Sequence, residues 1–421
     1  MLRPHGRLAS GLETILMPIE LTANTDSGAR LVSIAEALAE QLGARAAEHD
    51  REGTYPFEAI EALKAARFFA APVPFELGGL GVSSAHDLVV ASSRLARGDA
   101  SVAIGVNMHL AAVHNMERRR QVAVAAGDER RARAFAASLE QIARERIVLA
   151  AAISERTQDL TWPATVATPT DAGWRIDGRK VFCTMSPGAT HLYASVRYVD
   201  AGGVERYAYA TVPTDAPGVT VHDDWDALGM RASGSNSVSL EAVELPQHAV
   251  RGGFRAGDPT PYIERNLMAG LFHAAASLGI AESADQVARR GLADRINGNA
   301  RPRMQVADNA IDLAAARGIL SRAAMLIDQH RAGNPTSDGT AEELTALFAE
   351  TQAAKAFVGE ASARIVDRAL ALSGGAGYLN GSLLARAYRD VKAGSFMHPL
   401  GANRAYDYLG QFALGERPPL H

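Results

Sequence analysis

The sequence predicts an α+β protein in three blocks: an N-terminal all-α domain, a middle antiparallel β-barrel or sandwich, and a C-terminal antiparallel helical bundle. Three observations carry this. From Ala29 to Arg144 apolar residues recur at three- and four-residue steps. After Arg146 the period shortens, and β-branched and aromatic runs alternate with Gly, Pro and Asp. From Asp258 long helical patterns return, joined by short loops. A chain of 421 residues is too long for one ordinary core. The expected segments are an arm over 1–28, a helical domain over 29–146, a β domain over 147–252 and a bundle over 253–421.

Leu31, Ile34, Ala35, Leu38 and Leu42 lie on one face of a first helix. A second starts near Pro56 and stops before Pro72-Val73-Pro74, which cannot continue it. Ala85–Ala96 and Ser101–Met116 read as helices split by Arg97-Gly98-Asp99, and a fifth runs from about Asp128 to Arg144. Strands are expected over 166–168, 174–176, 181–184, 192–198, 207–212, 219–222 and 238–245, with Asp177-Gly178 as a hairpin turn. Helices are then expected over 259–291, 302–331, 341–372, 382–393 and 401–414, and 333–339 is a polar loop.

Composition narrows the function classes. Hydrophobic residues make up 47% and charged residues 21%, which is globular. A formal net charge of -4 offers no basic field for nucleic acid. No apolar run approaches the roughly 18 residues of a membrane span. The single cysteine, Cys183, excludes a disulfide framework and fits a reducing, cytoplasmic setting. No signal peptide is expected, and no metal-ligand cluster stands out.

The stretch Ser373–Leu400 holds the densest chemistry. Gly374, Gly375 and Gly377 let backbone N–H groups approach a ligand closely, which suits phosphate oxygens. One helix later His398 precedes a proline. The stretch also reads as a Gly-rich turn followed by a surface histidine.

With these motifs in this order, the chain resembles the acyl-CoA dehydrogenase superfamily from about Leu31 to Leu414. Pro74-Phe75-Glu76-Leu77-Gly78-Gly79-Leu80-Gly81 looks like its first signature loop. Gly178–Thr184 sits where the family has a strand closing on its flavin, and Leu228-Gly229-Met230-Arg231-Ala232-Ser233 resembles its "G-M-R-x-S" segment. Ser373–Leu379 and Arg389-Asp390-Val391-Lys392 match its "GG-x-G" and "RD-x-K" motifs. The resemblance implies a flavin, FAD or FMN, between the β domain and the bundle. It implies Phe182 and Thr184 beside the flavin ring, with Ser154, Arg231, Ser233, Gly374, Gly375 and Gly377 as further cofactor residues. It also implies a homodimer or homotetramer.

Departures from the family matter as much. A dehydrogenase needs a carboxylate to take the α-proton of its thioester. Counting from Arg389, that position is His398, within Met397-His398-Pro399. The other place where some members carry the Glu aligns with Ala269, although Glu264 lies one to two turns earlier. Ile153–Asp159 keeps Ser154-Glu155 but has lost the family's glycines, and Ile296–Pro302 after Arg295 has no aromatic for an adenine.

These losses resemble the flavin monooxygenase branch, such as the dibenzothiophene, hydroxyphenyl and amino-sugar N-oxygenating enzymes, which take reduced flavin from a separate reductase. There a second histidine comes from the N-terminal domain, and His109 matches it. His398 and His109 are thus the expected catalytic pair, since imidazole exchanges protons near neutral pH. On its apolar helix His109 reads equally as a core residue. Met108, His273 and Met397 are expected to line the substrate pocket. The expected function is an O2-using two-component monooxygenase on a small organic molecule. The alternatives are an acyl-thioester dehydrogenase with an atypical base and a non-catalytic flavin-fold protein.

Overall fold

The computed structural model describes residues 20–144, 146–156, 159–292 and 300–420. The expected arm over 1–28 falls mostly outside them, but its end is firmly placed. Glu20 pairs with Arg94 at 3.1 Å and Arg97 at 3.0 Å, and the Asn24 and Thr25 N–H groups donate to Asp87. The Thr25 hydroxyl accepts from Gly28 N–H and caps α1 (Asp26–Glu52), which therefore starts before Ala29. Gly53 ends it with φ +67.

The helical domain continues with α2 (Phe57–Ala65), α3 (Ala85–Gly98), α4 (Ala100–Ala125) and α5 (Glu129–Ala143). Helix α4 runs well past Met116, because no Gly or Pro interrupts it before Gly127 and Arg120 folds back on Glu117 at 2.7 Å.

The middle domain is one eight-stranded sheet: β1 (Leu149–Ala152), β2 (Val166–Thr170), β3 (Gly173–Cys183), β4 (His191–Val199), β5 (Glu205–Pro213), β6 (Val219–Val221), β7 (Asn236–Pro246) and β8 (Val250–Arg255). Its order is β6-β7-β3-β2-β4-β5-β8, and β1 pairs parallel to β4. Asp177-Gly178 is no hairpin turn. Strand β3 passes straight through it, paired on both edges, and the register shift against β7 marks a bulge there. Gly178 is required by approach, since a Cβ would lie 2.4 Å from the Thr165 hydroxyl. Strands β1 and β8 were not expected, because one is Ala-rich and the other carries Gly252-Gly253. Strand β8 also carries the sheet past the expected boundary at 252.

The bundle comprises α6 (Thr260–Leu292), α7 (Ala300–Gly333), α8 (Ala341–Ser373), α9 (Leu383–Asp390) and α10 (Ala402–Ala413). A capping box of Thr340 and Glu343 starts α8, and its stripe Leu344, Leu347, Phe348, Thr351, Ala354, Val358, Ala361, Ile365 is buried. Among the described residues, α6 is the one helix long and apolar enough to cross a membrane, contrary to the expectation that no run would qualify. Its most apolar window is 94% buried against other helices of the protein, so it is a core helix here. One apolar cluster unites α1, α3 and α4 with α6, α7 and α8, while the sheet keeps a separate one.

Candidate active site

The motifs far apart in sequence meet at one junction. Arg389 donates to Asp50 at the end of α1, at 2.8 Å for Nη1, and Asp390 accepts the Met230 N–H at 2.6 Å. Burial pushes the Asp390 carboxyl up to about 7. Gly229 packs on this strip so closely that a Cβ would lie 2.4 Å from the Arg389 carbonyl oxygen. Arg231 Nε donates to the Asp50 carbonyl at 2.8 Å, and its other contacts are Asp226 and Ala227. Arg231, expected at the cofactor, thereby ties the β domain to the first helix.

Beyond this junction α4, β1, β4, β5 and α6 enclose a small cavity of about 50 Å³, closed by His398. Met108, Asn115, Ile153, Tyr193, Arg265 and Ala269 line it as well. His398 Nε2 lies 2.5 Å from the Tyr262 hydroxyl and 3.3 Å from Asn266 Oδ1. The Asn266 amide N donates to the Tyr262 carbonyl at 2.8 Å, so its Oδ1 faces the ring as an acceptor. The Tyr262 hydroxyl is thus the short partner of the ring at Nε2 and Asn266 the longer one. Burial, then Lys355 and Arg404, hold the ring neutral, its value pushed down to about 3. Among the described residues, no carboxylate lines this cavity. Glu264, the remaining dehydrogenase-type candidate, is buried against Arg119 and accepts from Asn115 at 3.0 Å.

On the other side of Ala112, Asn115, Tyr193, Tyr209 and Arg265, which line both, lies a cleft of about 660 Å³. Five arginines line that cleft: Arg119, Arg130, Arg131, Arg251 and Arg265. Tyr193 and Tyr209 stack at 5.0 Å, and the Arg265 guanidinium sits 4.2 Å from the Phe254 ring centroid. Arg130, Arg131 and Phe135 come from α5, and Arg251 from β8. A polyanion with a flat group attached would meet both kinds of contact here.

A second surface adjoins through β1. Ile153 lines the His398 cavity, and the next residue, Ser154, accepts the Val181 N–H at 2.9 Å. Ser154 thus contributes its main chain, placing the cavity wall beside Phe182. The Phe182 ring is 63% exposed, with φ +55, and meets Trp225 edge-on at 6.0 Å. A strained, exposed aromatic signals a purpose outside the core. Thr184 accepts from Ser235, which also contacts buried Ser233 at 2.7 Å. This apolar plate with its hydroxyl ladder fits a flat heteroaromatic such as a flavin. Gly374 and Gly375 lie in the turn after α8 with no atom within 4 Å of a notional Cβ, and Gly377 packs on Ser373. Neighbouring Tyr378 is 82% exposed.

Three expectations need correction. His109 is a core residue: its Nε2 donates to the Phe69 carbonyl and its Nδ1 accepts from Leu149 N–H, each at 3.0 Å. It is fully buried, held neutral and pushed down to about 4. Main chain holds both of its nitrogens, and it does not line the His398 cavity. His273 is buried behind the wall, with Nδ1 unpartnered, and Met397 packs on the core; neither lines the His398 cavity. Met108 does line it. Sequence reasoning missed Tyr262, Asn266, Asn115 and the cleft arginines. The i, i+4 pair Tyr262 and Asn266 was a usable signal once α6 was recognised. The segment Arg295–Asn299, read as a failed adenine site, lies outside the described residues, as do Thr157 and Gln158.

Comparison with known proteins identifies the fold. The family descriptions "Acyl-CoA dehydrogenase, N-terminal domain", "middle domain" and "C-terminal domain" match residues 30–119, 150–243 and 271–398. The amino sugar nitrososynthase DnmZ of Streptomyces peucetius is 33% identical, with 93% of this chain and 94% of that protein covered. The dibenzothiophene monooxygenase of Rhodococcus erythropolis is 30% identical over 52% of this chain and 51% of its own. A solved structure of KijD3 in complex with FMN and dTDP-3-amino-2,3,6-trideoxy-4-keto-3-methyl-D-glucose is 30% identical, has a TM-score of 0.85, and covers 94% of this chain and 96% of its own. The protein is a member of the acyl-CoA dehydrogenase family of flavin-dependent oxidoreductases.

Proposed function

We propose that the protein is an FMN-dependent monooxygenase that oxidises the primary amine of a nucleotide-linked amino sugar. The observation that carries this reading is a cavity at His398 with no carboxylate among its described lining residues, adjoined by an arginine-rich cleft. Dehydrogenation of an acyl thioester needs a carboxylate at the reacting carbon, and this cavity has none.

The residues suit an amine in its free-base form. Arg265 lines the cavity, and Lys355 and Arg404 lie close enough to depress the His398 proton affinity. That positive field, with no carboxylate on the wall, disfavours an ammonium and leaves the nitrogen lone pair available. His398, on the cavity wall and held neutral, would hydrogen-bond the amine and orient it. Phe182 and Thr184 would hold a reduced flavin, which would supply the two electrons needed for one oxygen atom of O2 to reach nitrogen and the other to leave as water. Arg130, Arg251 and Arg265 would hold a diphosphate, and the stacked Tyr193 and Tyr209 its attached ring. A separate reductase supplies the reduced flavin. The exposed Tyr378, Leu379, Phe396 and Leu414 favour a homo-oligomer. The single buried cysteine fits a reducing cytoplasm.

The test is direct. Purified protein, FMN, a flavin reductase, NADH and a dTDP-linked amino sugar are incubated in air, and products are read by mass spectrometry. The expected product has gained one oxygen on nitrogen. No oxygenated amine across a panel of nucleotide-linked amino sugars, together with flavin bleaching by acyl-CoAs under anaerobic conditions, would defeat the reading.

A further inference from the structure

We propose that Lys355 is a positioning residue for His398, gripping the chain on both sides of that histidine. The inference rests on the reading of His398 given above. Lys355 Nζ donates to the carbonyl of Met397 and, at 2.6 Å, to the carbonyl of Leu400. One ammonium therefore spans His398-Pro399, and it does so from α8, the helix that packs behind α6. The fit is close on every side. A Cβ on Gly270 of α6 would lie 3.2 Å from the Gln352 amide nitrogen, 3.6 Å from Lys355 Cδ and 3.7 Å from Pro399 Cδ. Helices α6 and α8 and the 397–400 segment thus converge at a glycine one residue beyond Ala269, which lines the reaction cavity.

An ammonium in this place is a poor choice for stability alone. The side chain is buried, and burial depresses its proton affinity to about 7. No carboxylate of the described residues lies within ion-pair distance of Lys355. An uncharged donor could bond a carbonyl with less desolvation. What a cation adds is a field at His398. The groups around that ring are Tyr262, Arg265, Asn266 and His273 on α6, Asn115 on α4, Tyr193 and Tyr209 on the sheet, Lys355 on α8 and Arg404 on α10. Glu360 and Tyr406 share a small surface cavity with Lys355, and Glu360 accepts from Tyr406. The balance at the imidazole is positive. Lys355 does two things through one group: it fixes the backbone that carries His398, and it adds to burial in disfavouring a protonated ring.

The experiment uses the full chain as Lys355→Met and as Lys355→Gln, the second keeping two N–H donors without charge. The probe is diethyl pyrocarbonate, which acylates neutral imidazole, with His398 modification followed by peptide mass mapping across about pH 4 to 8. Wild-type His398 is expected to react at a rate that, after correction for reagent hydrolysis, stays level down to about pH 5. In both variants the midpoint of the acid fall-off should rise by about one pH unit or more, toward the ordinary histidine value. Amine oxygenation should lose about ten-fold or more in kcat with KM within about two-fold, as expected for a misplaced group rather than lost binding. Thermal melting establishes that each variant is folded, and Lys355→Gln carries the test where Lys355→Met does not fold. A folded variant with an unmoved midpoint and wild-type kcat would overturn the inference. The midpoint is read without turnover, so it judges Lys355 even if His398→Gln proved fully active, an outcome that would instead count against the proposed function.

Discussion

Replacing Tyr262 by phenylalanine removes one oxygen atom from the site and little else. The ring is fully buried, and its hydroxyl is 2.5 Å from His398 Nε2. Burial pushes the phenol well above its ordinary value, so it stays neutral throughout. Without it, His398 keeps only the 3.3 Å contact to Asn266. A lost hydrogen bond between neutral buried groups is worth about 1–2 kcal/mol. If that bond sets the ring orientation during turnover, kcat falls about 5- to 30-fold. The assay is the initial rate of amine oxygenation with FMN and reductase, alongside NADH consumption without substrate. Two signatures are expected: a lower kcat with KM nearly unchanged, and more NADH oxidised per product formed. A folded Tyr262→Phe protein with kcat within about two-fold of wild type would show that the ring needs no such partner, and the geometric argument for His398 would fail.

Three further outcomes follow from the same geometry. Gly229→Ala pushes a methyl to within 2.4 Å of the Arg389 carbonyl oxygen and 2.7 Å of Asp390 N, so main chain must shift; a loss of about 2–4 kcal/mol is expected, read as a lower Tm and weaker flavin retention. Arg265→Met should raise KM for a diphosphate-linked amine about ten-fold or more while leaving a free amino sugar nearly unaffected, as steady-state kinetics with both substrates will show. Stability should fall in acid because His109 is neutral when folded, at about 4, against an unfolded value of about 6.5. The folded state binds fewer protons between those values. The contribution is therefore intact above about pH 6.5 and lost as pH falls toward 4, roughly 3 kcal/mol in all. His109→Gln, which keeps a donor and an acceptor but does not titrate, should flatten the Tm-against-pH curve in that window.

The helices were readable because burial and periodicity coincide. The α8 stripe from Leu344 to Ile365 is buried at every position singled out. The sheet was readable except where pairing overrode local chemistry. Asp177-Gly178 has turn composition, yet β3 is held on both edges and absorbs it as a bulge. His398 could be located by counting from Arg389, because one short segment fixes it. His109 could not be judged that way, since Phe69 and Leu149, which occupy its nitrogens, are each 40 residues distant. The arginine cleft was hidden for the same reason: its five cations come from α4, α5, β8 and α6, and no window of sequence holds the set.

The apolar cluster that joins the first helices to the last has a bearing on how the molecule comes apart. Three segments match as separate inherited modules, but the principal cores are two, and the larger belongs jointly to both ends of the chain. Evolution's units of exchange and the cooperative units of melting therefore have different borders here. A cut between β8 and α6 would not release an autonomous bundle; it would leave Leu271, Phe272 and Leu278 facing water in one fragment, and Leu88, Leu95 and Leu110 in the other.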